Sequence, residues 1–181
     1  MTGGSDLERR AIEPAALSSR NGRRLEGYVA TFGVDAAIGD FVERIAPAAF
    51  SLRDDVVAMM DHDPGRVLGR TRSRTLELEQ DGKGLRFSLA LPDTQPGRDV
   101  MALAERGDLG GMSFGFRVPP GGERWEGNRR MLTAIDLLEI SVVSAWPAYP
   151  DTTVALRSRQ NHLDFYRRSR ALRLAEASRW A

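Results

Sequence analysis

The segment MSFGFRV, from Met112 to Val118, constrains the fold most strongly because large and small side chains alternate along it. In a β-strand, successive side chains point to opposite faces of the sheet. One face then carries four residues that we expect to be buried: Met112, Phe114, Phe116 and Val118. The other face carries Ser113, Gly115 and Arg117, and with so little side chain there, another backbone segment can approach the Ser113 hydroxyl. The alternative is a serine on the solvent face of an amphipathic strand.

Short runs of this kind, separated by turn-forming residues, fill most of the chain between Leu25 and Asp151. They predict the following strands: LEGYVATFG; FVERI, running into a short helical piece at APAAF; VVAMM, ended by a turn at Pro64-Gly65; two strands joined at Asp81-Gly82; MSFGFRV; and one long strand in NRRMLTAIDLLEISVV, ended by prolines.

One segment, PGRDVMALAERG, predicts a helix. Val100, Leu103 and Ala104 share a helical face, and Gly107 is well placed to end the helix. Residues 155–176 also have helical composition. Many short strands with one or two helices predict a mainly β (α+β) fold, an antiparallel barrel or sandwich with helical decoration.

Length and charge limit the class of protein further. The 181 residues fit one domain, and the absence of cysteine excludes disulfides and thiolate chemistry. With no signal peptide and no apolar run of about 18 residues, we expect a soluble intracellular protein. Residues 1–24 and 155–181 carry net charges of +2 and +5, which leaves −6 for residues 25–154 of a chain whose total is +1. The first segment predicts a flexible arm or a poorly paired first strand; the last predicts a basic, helical tail.

The chain has two histidines, and one of them is a candidate general base. His162 lies in the arginine-rich tail, whereas His62 ends the apolar run VVAMM and is therefore expected at the rim of a sheet. There an imidazole is partly supported and partly open. Alternation puts His62 on one face with Val56, Ala58 and Met60. Asp61 and Asp63 alternate away from it, so neither is placed to orient the ring; an exposed loop histidine is the alternative.

A carboxylate in LTAIDLLEISVV is a candidate partner for that histidine. Strict alternation puts Glu139 on one face with Ile135, Leu137, Ser141 and Val143. A carboxylate on such an apolar face is costly unless it is hydrogen-bonded, and His62 or one of the arginines would meet that need. Asp136, on the opposite face, is a second candidate.

Ser113, His62 and Glu139 together supply a nucleophile, a base and an orienting acid for acyl transfer. Gly110 and Gly111 can turn backbone N–H groups toward an oxyanion without strain. The G-x-S-x-G elbow of α/β-hydrolases is absent, because residues 111–115 are GMSFG.

The order of these segments resembles the prohead proteases of the HK97 type, the serine proteases that mature the capsids of tailed bacteriophages. The resemblance covers residues 25–157, through LEGYVATFG, VERIAPAAF, MMDHDPGRVLGR, GLRFSLALPDT, GGMSFGF and LLEISVVSAWPAYPDT. It implies His62 as base and Ser113 as nucleophile, with no cofactor and no metal ion. Residue 48 is alanine where the family often has glycine.

The fold that the resemblance implies is an antiparallel β-barrel ringed by helices, similar to the herpesvirus assemblins. Those enzymes use a second histidine as the third triad member. Because His162 lies in the basic tail, residues 158–181, Glu139 is our prediction for that role, with Asp136 as the alternative.

The resemblance implies an endopeptidase that acts inside the procapsid, in the cytoplasm of a bacterial host. Its substrates would be scaffold protein or the scaffolding segment of the major capsid protein, and itself; a homo-oligomer is compatible with this. The source would be a phage, a prophage or a gene transfer agent. An inactive capsid-assembly component with the same fold is the alternative. A membrane partner is not expected, and the acidic central segment argues against nucleic acid.

Overall fold

The computed structural model describes residues 7–12, 18–20, 23–52 and 55–145. Their regular structure consists of fourteen strands and one helix: β1 (Glu8–Ile12), β2 (Ser18–Arg20), β3 (Arg24–Thr31), β4 (Asp35–Ile38), β5 (Phe41–Ile45), β6 (Phe50–Ser51), β7 (Val57–Met60), β8 (Asp63–Arg70), β9 (Leu76–Gln80), β10 (Gly84–Ala90), α1 (Gln95–Arg106), β11 (Gly111–Arg117), β12 (Glu123–Glu126), β13 (Arg129–Leu132) and β14 (Ile135–Val143).

The strands form three sheets. The first has the order β1-β11-β14-β7-β8, with β6 also paired to β14. The second has the order β2-β3-β10-β9 and the third β12-β13-β5-β4. Most pairs are antiparallel, but β14 runs parallel to β6 and β7, and β13 runs parallel to β5. Long connections separate these strands in sequence, which lets them run in the same direction.

One cluster of buried apolar side chains draws on all three sheets and the helix. Phe114 and Phe116 of β11 are almost fully buried, and their rings stack with centroids 5.3 Å apart. The edge of Phe50 packs against Phe114 at 5.6 Å. The apolar face predicted for MSFGFRV is therefore confirmed, and the opposite face of β11 is left to Ser113 and Gly115.

Helix α1 follows the sequence prediction. Val100 is fully buried, and Leu103 and Ala104 pack against the core. Gly107 ends the helix in the left-handed region, with φ +74°, and its N–H donates to the carbonyl of Ala104. Glycine suits this position because it has no Cβ to clash there.

Three local predictions are wrong. The segment APAAF contains a turn and not a helical piece, because Ala48 adopts φ +57°. Pro64 and Gly65 lie inside β8, and the chain reverses earlier, at Asp61-His62. The long final strand is two strands, β13 and β14, in different sheets.

The mainly β class is confirmed, while the finer architecture is not. The described strands form no closed barrel, and the described residues contain one helix, so the barrel ringed by helices stays a prediction. The segment 1–24, predicted as a flexible arm or a poorly paired first strand, contributes β1 and β2 to two sheets. The predicted helical tail lies outside the described residues, as does His162. Among the described residues, no helix is both long and apolar enough to cross a membrane.

Candidate active site

Ser113 lies in the middle of the first sheet, on the face away from the aromatic core. Its strand β11 runs between β1 and β14, and Ser113 is directly opposite Ala11 on one side and Ser141 on the other. The residue is buried. Its hydroxyl donates a hydrogen bond of 2.8 Å to the backbone carbonyl oxygen of Arg10. Another backbone segment thus approaches Ser113 closely, as the bare face of this strand predicts.

His62 occupies the tip of the two-residue hairpin turn between β7 and β8. Asp61 and His62 have φ values of +54° and +58°, the positive values that a type I′ hairpin turn requires. The Asp61 carboxylate fixes the turn, since it accepts hydrogen bonds from the backbone N–H and the hydroxyl of Ser144, at 2.8 and 2.7 Å. Two consecutive non-glycine residues in this conformation store backbone strain of the kind found at functional sites.

The turn also decides which face His62 occupies. Alternation predicts the face of Ala58 and Met60, but these two side chains are buried in the core. The left-handed turn interrupts the alternation, and the His62 ring contacts Glu139 instead. The prediction of a shared face is therefore wrong, whereas the position at the rim of the sheet is correct.

Glu139 reaches the same face through a β-bulge. The register in which β11 pairs with β14 shifts between Gly115 and Phe116. Glu139 lies opposite Gly115, and Leu137, two residues earlier, lies opposite Phe116. An extra residue in β14 thereby places Leu137 on the core face and Glu139 on the face of Ser113. The prediction that Glu139 shares a face with Leu137 is wrong, because it assumed unbroken alternation.

The Glu139 carboxylate receives two strong contacts at one oxygen. Oε1 lies 2.9 Å from Nδ1 of His62 and accepts a 2.8 Å hydrogen bond from Nε of Arg9. The sequence left open whether a histidine or an arginine satisfies this carboxylate, and both do. Ser141, directly opposite Ser113, has its hydroxyl 3.5 Å from Oε2.

These contacts keep Glu139 ionised. Burial by itself would raise the pKa of the carboxyl, but the hydrogen bonds from His62 and Arg9, together with the positive charge of Arg9 and of the protonated form of His62, outweigh it and lower the pKa below its ordinary value. An ionised carboxylate accepts hydrogen bonds and has none to donate. Nδ1 of His62 therefore carries the proton of this bond, which leaves Nε2 of a neutral ring as the basic nitrogen.

Gly115 makes room for this carboxylate. A Cβ added at residue 115 would lie 2.6 Å from both Cγ and Oε1 of Glu139, far inside van der Waals contact. The glycine two residues after Ser113 is therefore needed for packing against Glu139, whatever its own conformation.

The other predicted groups are less well placed. Asp136 lies opposite Arg117, three positions along β14 from Glu139, and no hydrogen bond of the described residues joins it to His62. The N–H of Gly110, predicted to serve an oxyanion hole, donates instead to the carbonyl of Val143 at 2.9 Å. Gly111 adopts φ +143° at the start of β11. The oxyanion hole stays a prediction.

Sequence reasoning missed the contribution of β1. Arg9 lies opposite Gly115 and Arg10 opposite Phe114, so β1 brings one side chain and one carbonyl to the site. The segment ERRAI carries no signal that separates it from any exposed charged strand. Its role depends on pairing with β11, which is about a hundred residues away in sequence.

Ion pairs on the other face anchor β1 firmly. Both oxygens of Glu43 accept hydrogen bonds from Arg10, at 2.6 and 2.7 Å, and both oxygens of Glu8 accept from Arg130, at 2.6 and 2.8 Å. Glu43 and Arg130 are buried, and Arg130 joins the two pairs by a further 3.0 Å contact with Glu43. Displacing β1 would leave buried charges unpaired, which costs several kcal/mol.

A histidine bonded to a buried carboxylate, on one face with a serine, is the arrangement of a serine-type hydrolase. Comparison with known protein families agrees: the sequence profile of the caudovirus prohead serine proteases matches residues 5–165 of the 181. The chain belongs to this family and is a serine protease of capsid maturation. The match starts within the segment taken as an arm and extends into the tail. Searches of curated proteins and of solved structures found no match.

Proposed function

We propose that this chain is the endopeptidase that cleaves scaffold protein, or the scaffolding segment of the major capsid protein, during maturation of a procapsid. In this proposal Ser113 is the nucleophile, His62 the general base and Glu139 the acid that orients the base. The observation that supports it best is the 2.9 Å contact between Glu139 Oε1 and His62 Nδ1, on the face of the sheet that also carries Ser113.

The chemistry follows from the protonation states. Serine is too weak an acid to attack a peptide carbonyl unless a base takes its proton. His62, with its Nδ1 proton held by Glu139, offers Nε2 for that purpose. As the ring becomes an imidazolium, the ionised Glu139 stabilises the charge, and the same ring then returns the proton to the leaving amine.

The Ser113 hydroxyl has a single proton, and the carbonyl oxygen of Arg10 receives it here. Attack on a substrate requires that this hydrogen bond be exchanged for one to His62 Nε2. In this proposal the serine side chain rotates to make the exchange, since catalytic hydrogen bonds commonly form only when substrate is bound.

The procapsid substrates, self-cleavage, an origin in a phage, prophage or gene transfer agent, and action inside the procapsid are part of the proposal. They rest on the family, whose members act on capsid and scaffold proteins. The location inside the procapsid in a bacterial host fits an enzyme that meets its substrate during assembly.

Labelling with a fluorophosphonate, followed by mass spectrometry, tests the nucleophile. We expect the label on Ser113 in the wild type, none in Ser113→Ala, and the label still on Ser113 in Ser141→Ala. Ser141 is a matched control because it faces Ser113 across the same pair of strands and is also buried. A label on Ser141 would transfer the role to that residue.

Co-expression with the major capsid and scaffold proteins of the same genome tests the substrate. We expect a shortened capsid or scaffold protein with the wild type and the full-length protein with Ser113→Ala. Loss of the nucleophile typically lowers turnover about a millionfold. An enzyme that takes the label but leaves capsid and scaffold proteins intact would refute the substrate while keeping the serine hydrolase.

A further inference from the structure

Two groups of strand β1 contact two different residues of the proposed active site. The guanidinium of Arg9 donates to Glu139, and the carbonyl of the next residue, Arg10, accepts from Ser113. Neither group is part of a serine triad.

We propose that Arg9 is a positioning residue. It holds the Glu139 carboxylate where that carboxylate can accept the hydrogen bond from His62 Nδ1. This inference rests on the roles proposed above for Glu139 and His62. It makes β1 a working part of the active site.

The geometry of the contact supports this role. A glutamate has three rotatable side-chain bonds, and besides Arg9 the described partners of its carboxylate are His62, at 2.9 Å, and the more distant Ser141 hydroxyl, at 3.5 Å. Arg9 adds a second, charge-assisted hydrogen bond to the same oxygen, at 2.8 Å. Gly115 has no side chain to pack against the carboxylate of Glu139. The position of the carboxylate therefore depends on its contacts with His62 and Arg9.

The charge of Arg9 acts in the same direction. Among the described residues, the titratable or charged groups that face the Glu139 carboxylate are His62, from the hairpin turn, and Arg9, from β1. Both favour the ionised form against the effect of burial. A protonated Glu139 could not serve His62 as an acceptor in the same way, so Arg9 supports the charge state as well as the position.

The anchoring of β1 favours a permanent role over an inhibitory one. A strand that is displaced before catalysis would not be expected to carry Arg10 and Glu8 into bidentate pairs with the buried Glu43 and Arg130. These pairs hold the backbone of β1 in register, which places Arg9 opposite Gly115.

The second-order rate of fluorophosphonate labelling measures this role without knowledge of the natural substrate. We expect Arg9→Ala to label about a hundredfold more slowly, the usual penalty when a reacting group is displaced by about 1 Å. Arg9→Lys, which keeps the charge and places its ammonium within reach of the carboxylate, should recover to within about tenfold of wild type. Arg44→Ala is the control, since Arg44 forms a 2.6 Å ion pair with Asp35 on the third sheet.

A double-mutant cycle distinguishes action through Glu139 from a general loss of structure. If Arg9 acts through the carboxylate, Arg9→Ala should slow labelling no more than a few-fold in the Glu139→Gln background. Thermal unfolding of each variant confirms that the rates belong to folded protein.

The inference is overturned if Arg9→Ala labels within a few-fold of wild type, or if its loss is equally large in the Glu139→Gln background. Labelling faster than wild type would also overturn it and would identify β1 as an inhibitory strand. If Glu139→Gln itself retains full activity, the proposed role of Glu139 fails first. An impaired Glu139→Gln with an unimpaired Arg9→Ala would defeat only this inference.

Discussion

Glu139 lies directly opposite Gly115, and its carboxylate fills the volume that a side chain at residue 115 would occupy. The same carboxylate also contacts His62, so that strands β11 and β14 and the hairpin turn between β7 and β8 meet at this point. A methyl group at residue 115 must therefore move the carboxylate away from the histidine.

Gly115→Ala should reduce activity about a hundredfold while the protein stays folded, since the added Cβ displaces Glu139 by roughly 1 Å. Gly82→Ala is the control, because a Cβ at residue 82 meets open space. Steady-state cleavage of a peptide that spans the proposed capsid processing site measures both. Equal activity of the two variants would show that the position of Glu139 does not limit the rate.

Glu139→Gln should lower turnover on the order of ten-thousandfold, because an amide keeps the shape but loses the charge and can present a donor to His62 Nδ1. Asp136→Asn is the matched test of the other carboxylate and should change stability more than turnover. Both are measured on the same peptide. An active Glu139→Gln with an inactive, folded Asp136→Asn would move the third role to Asp136, and two active variants would indicate a Ser-His dyad.

Acid should destabilise the wild type more than Glu139→Gln. The folded protein lowers the pKa of Glu139 because the contacts from His62 and Arg9 outweigh burial, so near its unfolded pKa of about 4.3 the unfolded chain binds more protons. The contribution of Glu139 to stability is complete above that value and is lost as pH falls through the lower, folded pKa. Thermal unfolding from pH 6 to pH 3 should show the steeper decline in the wild type; parallel curves would contradict this.

Ala48→Gly should stabilise the protein. Ala48 is exposed and adopts φ +57°, where an L side chain costs about 1–2 kcal/mol that glycine avoids. The greater freedom of glycine in the unfolded chain offsets about 0.4–1 kcal/mol of that gain. The melting temperature should therefore rise by roughly 2 °C. Ala36→Gly, at an exposed position of strand β4, is the control and should lower it; a fall in both variants would refute the argument from strain.

The sequence alone determined the mainly β class, the buried face of β11, the helix α1 with its glycine end, and the identity of Ser113, His62 and Glu139 as candidates. These conclusions depend on local properties: the two-residue period of a strand, the period of a helix, and the cost of an unpaired carboxylate on an apolar face. Each can be judged from neighbours within a dozen residues.

Tertiary structure decided which side chains meet. Register between strands depends on pairings far apart in sequence, and one bulge in β14 reverses the face of Glu139 relative to Leu137. The left-handed turn at Asp61-His62 carries the histidine out of the alternation of its strand. Local sterics disfavour this conformation, and hydrogen bonds from Ser144, distant in sequence, stabilise it. Arg9 reaches Glu139 because β1 pairs with β11. No local pattern in the segment ERRAI predicts this pairing.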